Sequence, residues 1–429
     1  MDKQYPEGLV EALTTLRDYC ARNDYKGWDP YDGLNSRVFR AIPLIGRSAI
    51  IRLCWIQLFK RSPLNLRPLL LVPKQHNAKG VALAVQAHCE MFHAVEADPS
   101  LSEILGSKDA LKAEISRLSQ LLVSLATPGF SGPAWGYNFP WQCRREFLFP
   151  AGQPTVVATN FAVWALLDAY NITGDETLKD TACAAARFVT QDLRRTPHAG
   201  GVILSYSAMP GNDTIYNASL LGSRLLTRIY TYTKDESLLD LARQSLKACA
   251  AEQRPDGSWT YGLKPVTGWI DSFHTGYNLD AYADYARLTG DHTYDEVLRR
   301  GLEYYTATFF DASDGTPSYY HDKRYPIDIH CPGQLPVTLD TTDRYDEYRP
   351  LALKVLCWTL DNMRQGVGTF MYQKKPGISS RIPYMRWSLT FELRSLAVTL
   401  RREAQRRAAS DSQTTVRDTQ SDIASVPSK

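Results

Sequence analysis

Apolar residues recur at a helical period through most of the chain, and three central segments share one arrangement of apolar and polar positions. In each segment a helix ends near an aromatic residue, a turn with Thr and Asp follows, and a second amphipathic helix begins. The segments read ALLDAYNITGDETLKDTACAAARFV, RLLTRIYTYTKDESLLDLARQSLKACA and LDAYADYARLTGDHTYDEVLRRGLEYY. Gly174 and Gly290 suit the left-handed residue that ends a helix, and Asp175, Asp235 and Asp291 suit the N-cap of the next one. The pattern predicts stacked helical hairpins.

A loop rich in glycine and aromatic residues follows the second helix of each hairpin. The loops read GFSGPAWGYNFPW, HAGGVILSYS, PDGSWTYG, DGTPSYYHDKRY and GVGTFMYQKK. Five loops imply at least five hairpins, and the helical patterns over residues 81–96 and in MRWSLTFELRSLAVTLRRE make six. We therefore predict an all-α fold, an (α/α)6 toroid over residues 81–402. A basic helical extension over 1–80 precedes it, and a polar, disordered tail over 403–429 follows it.

Charge is distributed unevenly along the chain. The net charge is +3, which gives no reason to expect nucleic-acid binding, but residues 33–89 contain no acidic residue and nine basic ones. Within them, SAIIRLCWIQLFKRSPLNLRPLLLVPK mixes apolar and cationic positions, as in a helix that lies on an anionic membrane surface. The alternative is a helix packed on the domain with solvated arginines. We favour this alternative, because soluble amphipathic helices are commoner.

The cysteine content and the apolar runs indicate a cytoplasmic protein. The eight cysteines show no CxxC or other metal-binding spacing, so we expect reduced core thiols and no cofactor or metal. No apolar run approaches the roughly 18 to 20 residues that span a bilayer, and MDKQYPEGLV lacks the apolar core of a signal peptide. If residues 33–89 do lie on an anionic membrane, we expect the protein to bind peripherally to the inner membrane surface.

Polar residues stand where the predicted inner helices begin, which is best seen in GWIDSFHTGYNLDAYADY. There Asp271, His274 and Asn278 share one helix face, and apolar positions follow. In a ring of hairpins these entries converge on one pocket. Aromatic faces stack on sugar rings, and polar side chains bind hydroxyls and carboxylates, so carbohydrate is the expected ligand. The candidate binding residues are Trp135, Tyr137, Trp141, Arg144, Asn160, Tyr206, Asn217, Trp259, Tyr261, His330, Tyr384 and Arg386.

The hairpins, the DGxW-like loop and the stretch IDSFHTGYNL resemble the six-hairpin (α/α) toroid enzymes, among them glycoside hydrolases, polysaccharide lyases and uronyl C5-epimerases. The stretch DSFHTGYNLDAY is similar to the His-Thr segment of the glucuronyl C5-epimerases, and VVATNFAVWALLDAYNITGD resembles their small-residue helix and turn. The resemblance covers about residues 133–400. It implies a carbohydrate-active enzyme acting on a polysaccharide or a lipid-linked glycan precursor. Prenyltransferases and terpene cyclases share the toroid, but the zinc thiolate after Asp271 and the DxDD acid are missing.

Several mechanisms remain open from the residues alone. Hydrolysis requires two carboxyl groups, for which Asp271 and Glu146 are the candidates. Lyase or epimerase chemistry requires a base such as His274, with a cation such as Arg386 to neutralise a uronate. A non-catalytic glycan-binding or scaffold protein is the alternative from another class. Each residue also has a structural explanation: Asp271, Asn160 and Asn217 could cap helices, and Glu146 could pair with Arg144 or Arg145.

Overall fold

The structure is a computed structural model that describes residues 5–42, 45–143 and 147–424. Helices account for most of it. In chain order they are α1 (Leu9–Arg22), α2 (Arg37–Arg40), α3 (Ala49–Arg61), α4 (Ala78–Ala97), α5 (Ser102–Leu105), α6 (Lys108–Ser124), α7 (Val156–Thr173), α8 (Glu176–Ala184), α9 (Tyr216–Thr233), α10 (Glu236–Ala250), α11 (Ser272–Thr289), α12 (Asp295–Phe309), α13 (His330–Thr341), α14 (Tyr345–Met363) and α15 (Thr390–Ala424).

Six of these helices form a closed inner ring. Each packs against the next in the order α4, α7, α9, α11, α13 and α15, and α15 returns to pack against α4. The outer helices α6, α8, α10, α12 and α14 pack against the inner helices that precede them in the chain, and α1 packs against α15 as the sixth outer helix. The predicted all-α toroid of six hairpins is therefore confirmed.

The strands are short and lie in the loops between helices. They are β1 (Trp141–Cys143), β2 (Phe147–Phe149), β3 (Arg195–His198), β4 (Gly201–Leu204), β5 (Ile327–Asp328), β6 (Arg364–Gln365), β7 (Thr369–Phe370) and β8 (Gln373–Lys374). They pair in antiparallel twos, β1 with β2, β3 with β4, β5 with β8 and β6 with β7.

The turns of the hairpins largely follow their sequence pattern. Asp175 and Asp235 are the N-caps of α8 and α10, and each accepts a hydrogen bond from the backbone N–H two residues on. Gly174 and Gly290 end α7 and α11 in the left-handed conformation. Asp291 differs, because α12 begins four residues later, at Asp295. Its carboxylate instead accepts from the backbone and hydroxyl of Thr293, which forms a local turn before the helix.

The segment before residue 81 shares the core of the ring. Leu9, Leu13 and Leu16 of α1 are fully buried in the same apolar cluster as the inner helices α4, α7 and α15. The sequence placed this segment in an extension outside the toroid. At the other end, α15 continues to Ala424, into the residues for which composition predicted disorder. The disorder of 403–429 in solution stays a prediction.

Residues 27–42 and 45–75, here named the cover segment, lie across the end of the ring where the inner helices begin. The Trp28 carbonyl accepts a hydrogen bond from the N–H of Met385, just before α15, at 3.1 Å. Gly27 makes this approach possible, because an added Cβ would lie 2.4 Å from the Met385 Cβ. No helix in the described ranges is long and apolar enough to cross a membrane.

The opposite end of the ring is closed by ion pairs between inner helices. Arg224 of α9 donates from Nε to Asp284 of α11 at 2.6 Å, and Arg228 pairs with Asp168 of α7 at 3.0 Å. Both guanidinium groups also lie over the Trp164 ring.

Candidate functional site

Asp271 and His274 form a hydrogen-bonded pair at the start of α11. The Asp271 side chain caps the helix through Oδ1, which accepts from the His274 N–H at 3.0 Å. Its Oδ2 accepts from His274 Nδ1 at 2.7 Å and from Trp269 Nε1 at 3.0 Å. The Asp271 side chain is fully buried, whereas that of His274 is 20% exposed. The carboxylate therefore fixes the orientation of an imidazole that solvent can reach.

The tautomer of His274 follows from these contacts. A carboxylate at Nδ1 holds a proton on that nitrogen, so the neutral ring carries its lone pair on Nε2. In the described part of the chain, the imidazole of His274 makes its hydrogen bond through Nδ1 alone. Nε2 is thus available to take a proton from a ligand.

A small pocket with a cavity volume of about 10 Å³, which opens to solvent, lies beside this pair. Tyr261 forms one wall, stacked on Trp269 at 4.5 Å and tilted against the His274 ring at 4.7 Å. The lining residues are Asn217, Trp259, Thr260, Tyr261, Asp271, His274, Thr275 and Asn278. The pocket thus combines an aromatic wall with amide, hydroxyl and imidazole groups.

The two lining asparagines are unsatisfied. The Oδ1 atoms of Asn217 and Asn278 are buried and have no hydrogen-bond partner among the described residues. Asn217 lies in the first turn of α9, whose N-cap is Ile215, so it does not cap the helix. Because buried polar atoms are normally paired, these amides point to a polar ligand or ordered water in the pocket.

A second group of polar side chains lies deeper, around Lys79 and Tyr277. Lys79, in the first turn of α4, donates from Nζ to the Tyr277 hydroxyl at 3.1 Å and lies over the Phe161 ring at 4.1 Å. Burial lowers the pKa of Lys79 well below its usual value. Tyr277 lies one turn after His274 on α11, with the two ring centroids 6.0 Å apart. The deeper group is thus continuous with the pocket.

His330, at the start of α13, is buried in an aromatic box. Its ring centroid lies 3.8 Å from that of Phe391, 4.3 Å from that of Trp387 and 5.0 Å from that of Phe273. Neither ring nitrogen has a hydrogen-bond partner in the described ranges. Burial, reinforced by nearby cations, lowers the pKa of His330 well below its usual value, which favours the neutral ring. Phe273 also contacts His274, so both histidines border one aromatic side chain.

Arg386 and Tyr384 are held by the cover segment. Arg386 makes a bidentate contact with Asp29, from Nε at 2.6 Å and from Nη2 at 2.9 Å. Arg67 donates to the Tyr384 hydroxyl at 2.9 Å and to Asp32 at 2.7 Å. The sequence assigned Arg386 to a substrate carboxylate, but Asp29 already neutralises its guanidinium. Arg386 and Tyr384 therefore anchor the cover in this structure.

The other predicted residues fall into four groups. Tyr137, Trp141 and Tyr206 form an aromatic cluster with Phe149, in which Trp141 stacks on Phe149 at 4.6 Å. Trp135 is fully buried, and its indole N–H bonds the Leu122 carbonyl at 2.8 Å, so it packs in the hairpin.

Trp259 is similar, because its indole N–H donates to the Cys249 carbonyl at 3.0 Å although its ring borders the pocket. Asn160 lies inside α7, which Thr155 caps, and its buried amide has no described partner. Glu146, Arg144 and Arg145 lie outside the described residues.

Sequence reasoning missed Lys79, Tyr277 and Glu392. Glu392 is buried in α15, and burial raises its pKa to about 8, so the neutral acid prevails at neutral pH. The signal for Glu392 was an acid inside a helix predicted to line the ring. The signal for Lys79 was its place in the first turn of an inner helix, which was obscured by the surrounding run of basic residues. No group of three or more metal-binding side chains occurs among the residues searched, which are those the structure describes.

Comparison with known proteins identifies the fold. No protein-family model matches the sequence, and a search of curated proteins finds no match. Among solved structures, a GH76 α-mannanase from Bacteroides thetaiotaomicron is similar, with a TM-score of 0.58 and 13% identity over 78% of this chain and 88% of that one.

Two further structures show the same similarity. An unsaturated glucuronyl hydrolase specific for heparin gives a TM-score of 0.58 and 13% identity over 93% of this chain and 96% of that one. A cellobiose 2-epimerase from Bacillus thermoamylovorans gives 0.56 and 12% over 77% and 90%. The chain therefore has the (α/α)6 toroid fold of these carbohydrate enzymes.

Proposed function

We propose that the protein is a carbohydrate-active enzyme in which His274 transfers a proton at a carbon atom of a bound saccharide. The observation that carries the proposal is the 2.7 Å contact between Asp271 and His274 Nδ1, with the imidazole at the wall of a pocket. A carboxylate that orients an imidazole and fixes its tautomer is the arrangement that makes histidine a general base.

Proton abstraction is favoured over hydrolysis by the state of the carboxylates. Hydrolysis requires two carboxyl groups that can face the glycosidic bond. Asp271 already accepts three N–H donors, and Asp29 is paired with Arg386. Asp328 accepts hydrogen bonds from Trp387 and Gln373. These three carboxylates are engaged, and the imidazole of His274 borders the pocket. Glu392 is a neutral acid, so it supplies at most one of the two carboxyl groups that hydrolysis requires.

The reaction follows from that geometry. Nε2 of His274 removes the proton from a carbon next to a carbonyl or carboxylate, and the C–H electron pair moves onto that oxygen as an enolate. The buried, unpartnered Oδ1 atoms of Asn217 and Asn278 accept hydrogen bonds from hydroxyl groups of the saccharide and hold it in place. Delivery of a proton from solvent to the opposite face, with loss of the abstracted proton from His274 to solvent, gives epimerisation. Expulsion of a glycosidic oxygen from the next carbon gives elimination, with a double bond in the product.

The substrate class is supported by the wall of the pocket and by the similar structures. The Tyr261 and Trp269 rings give a flat apolar surface of the kind that packs on a sugar ring. The three similar structures all carry names of carbohydrate enzymes. The substrate in this proposal is a polysaccharide or a lipid-linked glycan precursor, and the site of action is the cytoplasm.

The test is to incubate the protein with uronate-containing and neutral glycans and to follow three signals together. We expect solvent deuterium in the sugar for epimerisation, or absorbance of an unsaturated uronate for elimination. Both signals should disappear in His274→Gln, which keeps a polar side chain but cannot act as a base. New reducing ends without either signal would indicate hydrolysis and contradict the proposal. Binding without any of the three signals would indicate a glycan-binding protein.

A further inference from the structure

Large apolar side chains are exposed mainly in one part of the molecule. Of the eleven large apolar side chains that are exposed in the described ranges, seven lie between residues 42 and 71. They are Ile42, Ile50, Ile51, Leu58, Leu64, Leu69 and Leu71, with exposed fractions between 41% and 76%. Single exposed apolar residues are normal on a protein surface, but a concentrated set indicates an interaction surface.

The exposed apolar residues of α3 are not the core-facing side of the helix. Its inner face is already packed, because Ile56 lies in an apolar cluster with Leu34 and Phe39, and Phe59 is fully buried. The Phe59 ring also lies under the Arg67 guanidinium at 5.2 Å. Ile50 and Leu58 lie two helical turns apart and project from the other face. The helix is thus apolar on both faces, and one face has no protein to cover it in the described chain.

The cations around these side chains have no acidic partners. Arg37, Arg40, Arg47 and Arg61 are exposed, and no carboxylate among the described residues lies within ion-pair distance of them. Elsewhere on the surface such pairs are common, as between Arg117 and Glu114. The sequence explains the difference, since residues 33–89 contain no acid at all.

We propose that this surface, the basic apolar surface of residues 37–42 and 47–71, binds an anionic lipid bilayer. Exposed apolar side chains would enter the interface between headgroups and acyl chains, and the unpaired cations would contact anionic headgroups. A second copy of the chain is a poor partner. A two-fold contact would bring the same unpaired cations against each other.

The position of the surface gives the docked protein an orientation. The cover segment packs across the end of the ring where α11, α13 and α15 begin, through contacts such as that of Asp29 with Arg386. Binding through the basic apolar surface therefore places this end of the ring towards the lipid. If the proposed function holds, a lipid-linked saccharide would reach the pocket from the same side, but lipid binding does not depend on that function.

The test uses the full chain and sedimentation with vesicles. We expect binding to phosphatidylglycerol vesicles at low salt, little binding to phosphatidylcholine vesicles, and release as ionic strength rises. Salt acts because the screening length falls to about 8 Å near physiological ionic strength. The double variant Arg47→Glu/Arg61→Glu should weaken binding at least about tenfold, since each basic residue near the surface contributes about 1 kcal/mol.

Matched variants separate a surface from an overall charge effect. Lys112→Glu/Arg254→Glu changes the net charge equally at exposed positions elsewhere, and should retain binding. Ile50→Gln/Leu58→Gln should weaken binding, whereas Val367→Gln/Ile378→Gln, at exposed apolar positions elsewhere, should not. All four variants should keep the melting temperature of the parent protein.

Three results would overturn the proposal. They are the absence of binding to phosphatidylglycerol, equal binding to both lipids, and undiminished binding of both surface variants. Concentration-dependent association that the same variants abolish, without vesicle binding, would assign the surface to a second copy instead. Vesicle binding by a parent protein that gives neither deuterium uptake nor an unsaturated uronate with any glycan would contradict the proposed function and leave this inference standing.

Discussion

At the scale of single residues, the carboxylate of Asp271 has three N–H donors and supports both a helix and an imidazole. The variant Asp271→Asn keeps only part of this function, because one carboxylate oxygen becomes an NH2 group that cannot accept a hydrogen bond. The helix cap can survive, since Asn caps about as well as Asp. The NH2 group would then face Nδ1 and favour the opposite tautomer. We expect turnover to fall by about 10²- to 10⁴-fold, which is the usual contribution of a general base, because His274 would no longer be oriented to act as one.

The stability of the Asp271→Asn variant is part of the same prediction. Loss of the Trp269 hydrogen bond to a charged acceptor should lower the free energy of unfolding by about 1.5 to 3 kcal/mol. Asp235→Asn is the matched control, because Asp235 caps α10 at an exposed position outside the pocket. It should leave both turnover and stability unchanged. Unchanged turnover in Asp271→Asn would assign Asp271 to capping alone.

Lys79 gives a second prediction, based on the pH dependence of stability. Its pKa is lowered first by burial, with Arg386 and Arg394 acting in the same direction and Asp29 against it. The unfolded chain therefore binds a proton that the native state lacks, at pH values up to the ordinary lysine pKa of about 10.4. The parent protein should gain stability as pH rises from 7 to 9.5.

The test is to measure the free energy of unfolding in urea for the parent protein and for Lys79→Met, at pH 7 and at pH 9.5. The variant removes the titrating group, so it should lack this part of the pH dependence. A difference of one bound proton changes the free energy of unfolding by about 1.4 kcal/mol per pH unit. Parallel pH dependence in the two proteins would mean that Lys79 is charged in the folded state.

The position of a residue could be predicted where a short stretch of sequence determines it. The cap, the spacing and the aromatic neighbours of Asp271 and His274 all lie within one short stretch. The pairing of Arg386 with Asp29 could not be predicted, because the two residues lie 357 positions apart in the sequence. The burial of Lys79 depends likewise on closure of the ring around α4, which local charge does not reveal.

At the scale of elements, α1 closes the sixth hairpin by packing against α15. Leu13 of α1 is fully buried in the ring core, so Leu13→Ala should lower the free energy of unfolding by about 2 to 5 kcal/mol. Val10→Ala, at a partly buried position of the same helix, is the control and should cost less. Urea unfolding measures both. If Leu13→Ala left the stability of the ring unchanged, residues 1–80 would be the separate extension that the sequence indicated.

The hairpins could be predicted from the sequence because the turn and the helix cap of each lie within a few neighbouring residues. Gly174, Asp175 and Asp235 occupy the predicted positions, since helix ends depend on local backbone conformation. The pairing of α1 with α15 joins the two ends of the chain and has no such local signal. Helix α12 also begins later than predicted, because the Asp291 carboxylate accepts a hydrogen bond from Thr293 in a local turn and does not cap the helix.

At the scale of the whole molecule, the ring has two different ends. Ion pairs such as Arg224 with Asp284 close one end, and the cover segment with the pocket occupies the other. The positive charge and exposed apolar residues of the chain are concentrated on the cover, at the same end as His274. This asymmetry explains why a chain with a net charge of only +3 carries a strongly basic surface.

The most direct test of the account is exchange of carbon-bound hydrogen in a saccharide in D2O. Oligosaccharides that are found to bind the protein are incubated with the parent protein and with His274→Gln, and deuterium on ring carbons is measured by NMR. We expect deuterium at one carbon next to a carbonyl or carboxylate with the parent protein and none with the variant. Cleavage of glycosidic bonds by the parent protein without deuterium in either product would contradict the assignment of His274 as the base.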